Sequence, residues 1–246
     1  MNKKLELYAV SDSKLCDAFD RVVVKIYLQK EKKNSTTYMF CGADPRCGST
    51  TLSMNIAMDL ANAGWKTLLL DADMRKSVKL KKINDEVEIG LADYLGGDAT
   101  LDDVIYKTNH NNMFAIPCGK NISSPVQMLC SMRMKEAIVS LKEMFDYVII
   151  DVPSLGSAVD ASAIAGQVDE TIMVVAQGRT MKSRIMKCKE ELVKSGANIF
   201  GVIANRVDEI EYKEYMRNYD YFTKGRYVQR AQQKKRKHRV SREDDK

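Results

Sequence analysis

The sequence predicts an α/β fold built on a doubly wound, mostly parallel sheet. Three observations lead there. Short apolar runs alternate with helix-length segments from residue 37 to residue 208, a glycine-bearing turn joins the first run to a helix, and two later runs carry aspartate where they end. Strand–helix alternation of this kind gives a parallel sheet with helices on both faces. Ligands of such sheets sit beyond the carboxyl ends of the strands, so the residues just after each run are where chemistry is expected.

Residues 1–36 are polar and charged, with one helical stretch at about 14–29. Its apolar positions Phe19, Val22, Val23, Ile26 and Tyr27 recur at helical spacing, so it is expected to pack on the core or on a neighbour. The runs at 37–42, 66–73, 113–119, 146–151, 170–177 and 198–206 read as buried strands, bounded by Gly, Pro or Asp. Between them, 50–63, 125–144, 158–166 and 179–195 have helix length. The α/β domain thus spans 37–208, and 209–246 form a tyrosine-bearing, basic tail expected to be mobile.

A chain of 246 residues, 45% hydrophobic, suits one large domain with its own core. No apolar run approaches the ~20 residues that span a bilayer. The N-terminus lacks the apolar stretch of a secretory signal, so the expected location is the cytoplasm. Six scattered cysteines without a CxxC pair, and only two histidines (His110 and His238), read as reduced, mostly buried thiols rather than a zinc site. The net charge is +6, but residues 229–246 carry eight Lys/Arg against three acids, so nearly all the excess lies in the tail. The near-neutral body speaks against nucleic acid as a partner.

The turn after the first strand reads Gly42-Ala43-Asp44-Pro45-Arg46-Cys47-Gly48-Ser49-Thr50-Thr51. A phosphate loop needs exposed backbone N–H groups at a helix N-terminus, a glycine where the chain turns, a lysine for the outer phosphates and a hydroxyl for Mg²⁺. Gly48 and Thr50 fill the glycine and hydroxyl positions, whereas Ser49 stands where the lysine belongs and Ala43 where the first glycine would be. Alone, the turn suits an unliganded glycine turn equally well. Asp71 and Asp73 close the second strand and Asp151 the later one. Each alone suits a helix N-cap. Three carboxylates at buried strand ends near a phosphate loop instead make a coherent Mg²⁺–nucleotide site, because burying them is expensive without a cation to organise.

Several stretches together resemble the bacterial tyrosine kinases of capsule and exopolysaccharide assembly, within the MinD/ParA class of P-loop ATPases. They are Pro45…Gly48-x-Thr50-Thr51-x-x-x-Asn55-x-Ala57, Asp71-Ala72-Asp73-Met74-Arg75-Lys76, Gly90 to Gly97, Phe145 to Pro153, Val168-Asp169 and Gly201 to Asp208. The resemblance covers about residues 14–208 and implies a MinD/ParA-like P-loop fold that binds ATP or ADP with Mg²⁺. It implies that the loop Pro45, Arg46, Cys47, Gly48, Ser49, Thr50 and Thr51 holds the phosphates, that Thr50, Asp71 and Asp151 serve the metal, that Asp73 activates the acceptor tyrosine, and that Asn205 meets the adenine. Asp71, Asp73 and Asp151 are thereby the expected catalytic residues. It also implies a membrane-embedded polysaccharide chain-length adaptor as partner, a place at the inner face of the cell membrane, and self-association as a homo-oligomer.

The chain departs from the family pattern at specific positions. Ser49 removes the lysine charge, and a preorganised donor or cation on a transferring phosphoryl is worth ~3–4 kcal/mol. Arg46 replaces a glycine, which predicts an altered loop path. Asp44 occupies the signature lysine position of MinD/ParA loops, which disfavours a partitioning or septum-positioning ATPase. In Asp17 to Val23 the arginine positions of the self-association motif fall on Asp20 and Val23. Five of eleven tyrosines, Tyr212, Tyr215, Tyr219, Tyr221 and Tyr227, fall where the family carries autophosphorylated tyrosines. The alternative is an exposed amphipathic helix whose aromatics pack on the domain, which suits Tyr212 and Tyr215 better than Tyr221 and Tyr227. The expected function is tyrosine (auto)phosphorylation weakened by Ser49, with a catalytically inactive, nucleotide-dependent scaffold as the alternative.

Overall fold

A computed structural model describes residues 4–7, 13–75, 89–120, 122–208 and 212. They fall into two units, Met1–Asn205 and Arg206–Lys246. In the first, eight strands form one sheet: β1 (Lys4–Leu5), β2 (Thr37–Gly42), β3 (Thr67–Asp71), β4 (Tyr106–Thr108), β5 (Met113–Ile116), β6 (Tyr147–Asp151), β7 (Glu170–Ala176) and β8 (Ile199–Asn205). Their spatial order is β1-β4-β5-β3-β6-β2-β7-β8, and only the β4–β5 pair is antiparallel. The helices are α1 (Ser13–Lys33), α2 (Ser49–Asn62), α3 (Leu91–Gly96), α4 (Leu101–Val104), α5 (Pro125–Leu129), α6 (Met132–Met144), α7 (Asp160–Ile164) and α8 (Lys182–Lys194). No helix among the described residues is long and apolar enough to cross a membrane.

Central strands are buried on both faces, and their side chains alternate between two cores. Tyr38, Phe40, Tyr147, Ile149, Ile172 and Val174 face the layer of α1 and α2. Met39, Cys41, Val148, Ile150, Met173 and Val175 face the layer that contains α3 and α5–α8. This is why those runs read as continuously apolar rather than alternating. Helix α2, the element after the glycine turn, buries nine of its fourteen residues between sheet and α1.

The sequence reading needs correction at several elements. The single helix expected at 125–144 is two, because Ser131 caps a new start by accepting from the Met134 N–H at 3.2 Å. The segment 158–166 is a short α7 followed by a 3-10 turn, Ala165–Gln167. The N-terminal segment also contributes the two-residue strand β1, too short to leave a period. Strand β8 lies at the sheet edge and is only partly covered, with Val202 51% exposed, so it is not the buried strand its apolar run suggests. Tyr27 lies outside the buried stripe of α1, although its ring leans on Trp65. Helix α3 went unpredicted because it is held by contacts distant in sequence. A Cβ at Gly90 would lie 2.3 Å from the Pro117 carbonyl oxygen, and the Asp93 carboxylate accepts from the Gly90 N–H at 2.8 Å. Cys41, Cys47, Cys118 and Cys188 are buried and unbridged, while Cys130 is exposed.

At the amino end of the sheet, opposite the strand ends that carry the aspartates, Asp169 fastens three elements. One oxygen accepts from the backbone N–H groups of Thr36 and Thr37 and from the Thr37 hydroxyl, and the other pairs with Lys142 of α6 at 2.6 Å. Burial pushes this carboxyl up, but the Lys142 ammonium and the threonine donors outweigh it and hold the group below the usual carboxylate range. Because its pKa is depressed on folding, its contribution is present above the ordinary aspartate range and is lost as pH falls through the folded value. Asp169→Ala should cost about 2–4 kcal/mol in urea denaturation at neutral pH, and the gap from wild type should narrow on acidification below the usual carboxylate range.

Candidate functional site

The strand order places β3, β6, β2 and β7 side by side, all with their carboxyl ends at one edge. Asp71 and Asp151 are direct register partners across β3 and β6, and the Ala72 N–H donates to the Asp151 carbonyl at 2.9 Å. Asp151 is likewise the partner of Phe40, two residues before the turn that leaves β2. Neighbouring strands lie about 4.8 Å apart, so the Asp151 end of β6 lies beside the start of the loop and the Asp71 end of β3 one strand further along the same edge. Asp71, Asp73 and Asp151 are all buried, at 8%, 3% and 3% exposure. The Asp71 carboxylate accepts from the Asp73 N–H at 3.0 Å, which folds the segment after β3 back on itself.

The loop wraps onto the N-terminus of α2. Ala43 is bonded to Val174 of β7 at 2.9 Å, Cys47 is buried beneath the turn, and Gly48 sits at φ 93° as the N-cap of α2. With no side-chain cap on α2, its first backbone N–H groups face the loop opening, which is the arrangement that receives phosphate. Ser49, Thr50 and Thr51 are the first three residues of that helix, and Pro45 and Arg46 form the exposed tip. Arg46 takes φ 61°, a left-handed conformation that glycine adopts freely and arginine at a cost of about 1 kcal/mol. The substitution therefore leaves a glycine-like turn at the tip. Asn205, at the end of β8, donates from its side-chain amide to the Cys47 carbonyl at 2.8 Å. That amide thus braces the loop.

The donors near the strand ends are hard oxygens: the Thr50 hydroxyl and the Asp71 and Asp151 carboxylates. They suit Mg²⁺. Among the described residues no three His, Cys, Asp or Glu side chains form a metal cage of protein ligands alone. Mg²⁺ needs none, since it keeps waters and is completed by substrate phosphates. Tyr212 is half-buried and lies in the Arg206–Lys246 unit, with its N–H bonded to the Asp208 carbonyl at 2.9 Å. Tyr215, Tyr219, Tyr221, Tyr227, Lys76 and the basic run 234–239 lie outside the described residues.

One constellation escaped the sequence reading. Arg75 forks onto Asp160 with two 2.8 Å bonds, from Nε and Nη2. Asp160 is fully buried at the start of α7. The pair ties the segment after β3, which carries Asp73, to the segment after β6. Its only sequence signal is an aspartate at a helix start, and 85 residues separate the partners.

Removing one partner of a buried ion pair strands the other. Arg75→Met should therefore destabilise the protein by about 3 kcal/mol in chemical denaturation, more than Asp160→Asn, because Arg75 is 42% exposed and can turn to water. At the loop, a Cβ on Gly48 would lie 2.3 Å from the Asn205 amide nitrogen. Gly48→Ala should cost about 1–3 kcal/mol, and adding Asn205→Ala should recover the steric part of that loss, leaving the backbone strain.

Comparison with known proteins agrees with this geometry. Residues 46–194 match the family model described as an AAA domain. The chain is 40% identical over 163 residues to the tyrosine-protein kinase CpsD of Streptococcus agalactiae, covering 66% of this chain and 70% of that one. Among solved structures, the VpsO kinase domain superposes with a TM-score of 0.70 at 27% identity, over 81% of this chain and 100% of that one. The septum site-determining protein MinD of Pyrococcus horikoshii, complexed with Mg-ADP, superposes with a TM-score of 0.58 at 30% identity, over 70% of each chain. A phosphate-loop turn onto an uncapped helix, aspartate-tipped neighbouring strands and these relatives agree: the chain belongs to the bacterial tyrosine kinase family, within the MinD/ParA class of P-loop ATPases.

Proposed function

We propose that the chain binds Mg-ATP at the loop Pro45–Thr51 and phosphorylates tyrosine, in its own tail first, as part of capsular or exopolysaccharide assembly beside a membrane-embedded adaptor. The observation that carries this reading is the register pairing of Asp71 with Asp151 at buried strand ends, on the sheet edge from which the loop leaves β2 for α2. The name of the CpsD relative supports the choice of tyrosine as acceptor.

In this reading the backbone from Cys47 to Thr50 holds the phosphates, and Thr50, Asp71 and Asp151 hold Mg²⁺. When bound, the ion neutralises charge on the phosphate oxygens. Asp73, on the segment that Arg75 and Asp160 anchor, accepts the phenolic proton of the tyrosine. The phenolic oxygen bonds to the γ-phosphorus as the bond to the β–γ bridging oxygen breaks, and ADP leaves. Asn205 keeps the loop closed and lies toward the nucleotide base. The tail tyrosines supply acceptors, and each phosphate would add ~1.5–2 negative charges next to a basic run. The basic tail suits the anionic inner face of the membrane.

Ser49 favours a second reading, a scaffold that binds nucleotide without catalysis, because the usual cation on the outer phosphates is missing. Calorimetry with Mg-ADP and phosphotyrosine mass spectrometry on one purified sample separate the two. Wild type should bind Mg-ADP and phosphorylate itself slowly. Ser49→Lys should tighten binding and raise phosphotyrosine by about 10²–10³-fold, and Asp73→Asn in that background should abolish the gain. Rapid wild-type phosphorylation that Arg46→Ala stops would mean that Arg46 supplies the charge. Nucleotide binding with no phosphotyrosine in any variant would leave the scaffold.

A further inference from the structure

A second basic feature lies beside the loop, on the other face of the sheet from α2. Helix α8 packs through Cys188 and Leu192 into the core that contains α3 and α5–α7, whereas α2 packs into the opposite core. Between the N-terminus of α8 and the loop tip is a cavity of about 520 Å³. Four cations from three segments line it: Arg46 from the loop, Arg179 from the turn after β7, and Arg184 and Lys187 from α8. Among the described residues, Asp44 is the one acid in its wall.

Asp44 is already engaged, because Arg184 Nε donates to its Oδ1 at 3.2 Å. Arg184 is also confined by the chain opposite: its Nη2 lies 2.7 Å from where a Cβ on Gly156 would be. Among the described residues, Arg46, Arg179 and Lys187 have no carboxylate partner. The end of α8 adds to the same field. Its N-cap residue Met181 makes no side-chain cap, its first turn has no acid, and Ser183 of that turn also lines the cavity. The first N–H groups of a 13-residue helix thus open onto a cavity already rich in positive charge.

Three uncompensated cations held around one cavity repel each other and favour an anion among them. Three guanidinium groups, those of Arg46, Arg179 and Arg184, line the cavity, and their planar forks suit a phosphate better than a halide. The volume leaves room for a ring attached to the phosphate, within the usual range of small-ligand sites. We infer that this cavity is a binding site for a phosphate monoester dianion, distinct from the α2 phosphate loop and sharing only the loop tip with it. The inference does not rest on the kinase reading, since it uses neither Thr50 nor the strand-end aspartates.

The test is calorimetry on the full chain with inorganic phosphate, phosphotyrosine and AMP, each with and without saturating Mg-ADP. The comparison variant is Arg179→Gln/Lys187→Gln, at two exposed residues outside the loop. Inorganic phosphate should bind saturably, should bind equally well with Mg-ADP present, and should weaken at least about tenfold in the double variant, while Mg-ADP affinity stays unchanged. Phosphotyrosine tighter than AMP would assign the dianion to a phosphorylated side chain, and the reverse order to a nucleotide. Absence of saturable phosphate binding, displacement of phosphate by Mg-ADP, or undiminished binding in the double variant would each overturn the inference. Failure of Mg-ADP alone to bind would count against the nucleotide reading and not against this one.

Discussion

The parallel hydrogen-bonded register of β3, β6, β2 and β7 is the constraint on which the rest of the molecule depends. Parallel strands must be joined by crossovers, so the connections among these four strands leave from one edge and return at the other. Helices on both faces then bury the strands completely, which explains their unbroken apolar runs. The same geometry delivers Asp71, Asp151, the loop after Gly42 and the turn after Ala176 to one edge. A shift of one strand would separate the pair Asp71–Asp151 and turn its whole hydrophobic set to the wrong core.

The two edges of the sheet use their aspartates differently. At the amino edge, Asp169 is saturated by threonine donors and Lys142, which makes it a fastener. At the carboxyl edge, Asp71, Asp73 and Asp151 are buried next to an uncapped helix N-terminus, where a cation and phosphates would complete them. On the same carboxyl side, the Arg75–Asp160 fork ties the segment that carries Asp73 to the segment after β6 without itself lying on a strand. The loop itself carries an acid at Asp44, a neutral side chain at Ser49 and a cation at Arg46. Its positive charge lies at the tip, beside the cations of α8 on the face of the sheet away from α2.

Much of this was legible in sequence because it is local. The six strand runs, the helix after the glycine turn and the aspartates at strand ends are set by apolar burial, turn chemistry and propensity over a few residues. Motif order was enough to recognise the family, and the missing lysine at Ser49 is read directly. What was not legible is set by partners far apart in the chain. Helix α3 is fixed by Pro117 and the edge position of β8 by sheet order, whereas the break between α5 and α6 is the local exception, one serine cap inside a run of helical spacing. Arg46 was expected to disturb its turn, but its backbone keeps a glycine-like conformation, a matter of φ that residue identity does not decide.

The sequence alone determined the fold class and the position of the phosphate loop, with Ser49 next to Gly48 and Thr50 in it, because periodicity and motif spacing follow from bonds along the chain. Only the tertiary structure decided that Asp71 faces Asp151, that Asn205 braces the loop at Cys47, that Arg75 forks onto Asp160, and that α8 brings Arg184 to Asp44. These pairings join residues 80 or more positions apart. Their physical cause is the crossover topology of a parallel sheet, which brings distant segments to one edge through a strand order that local sequence does not encode.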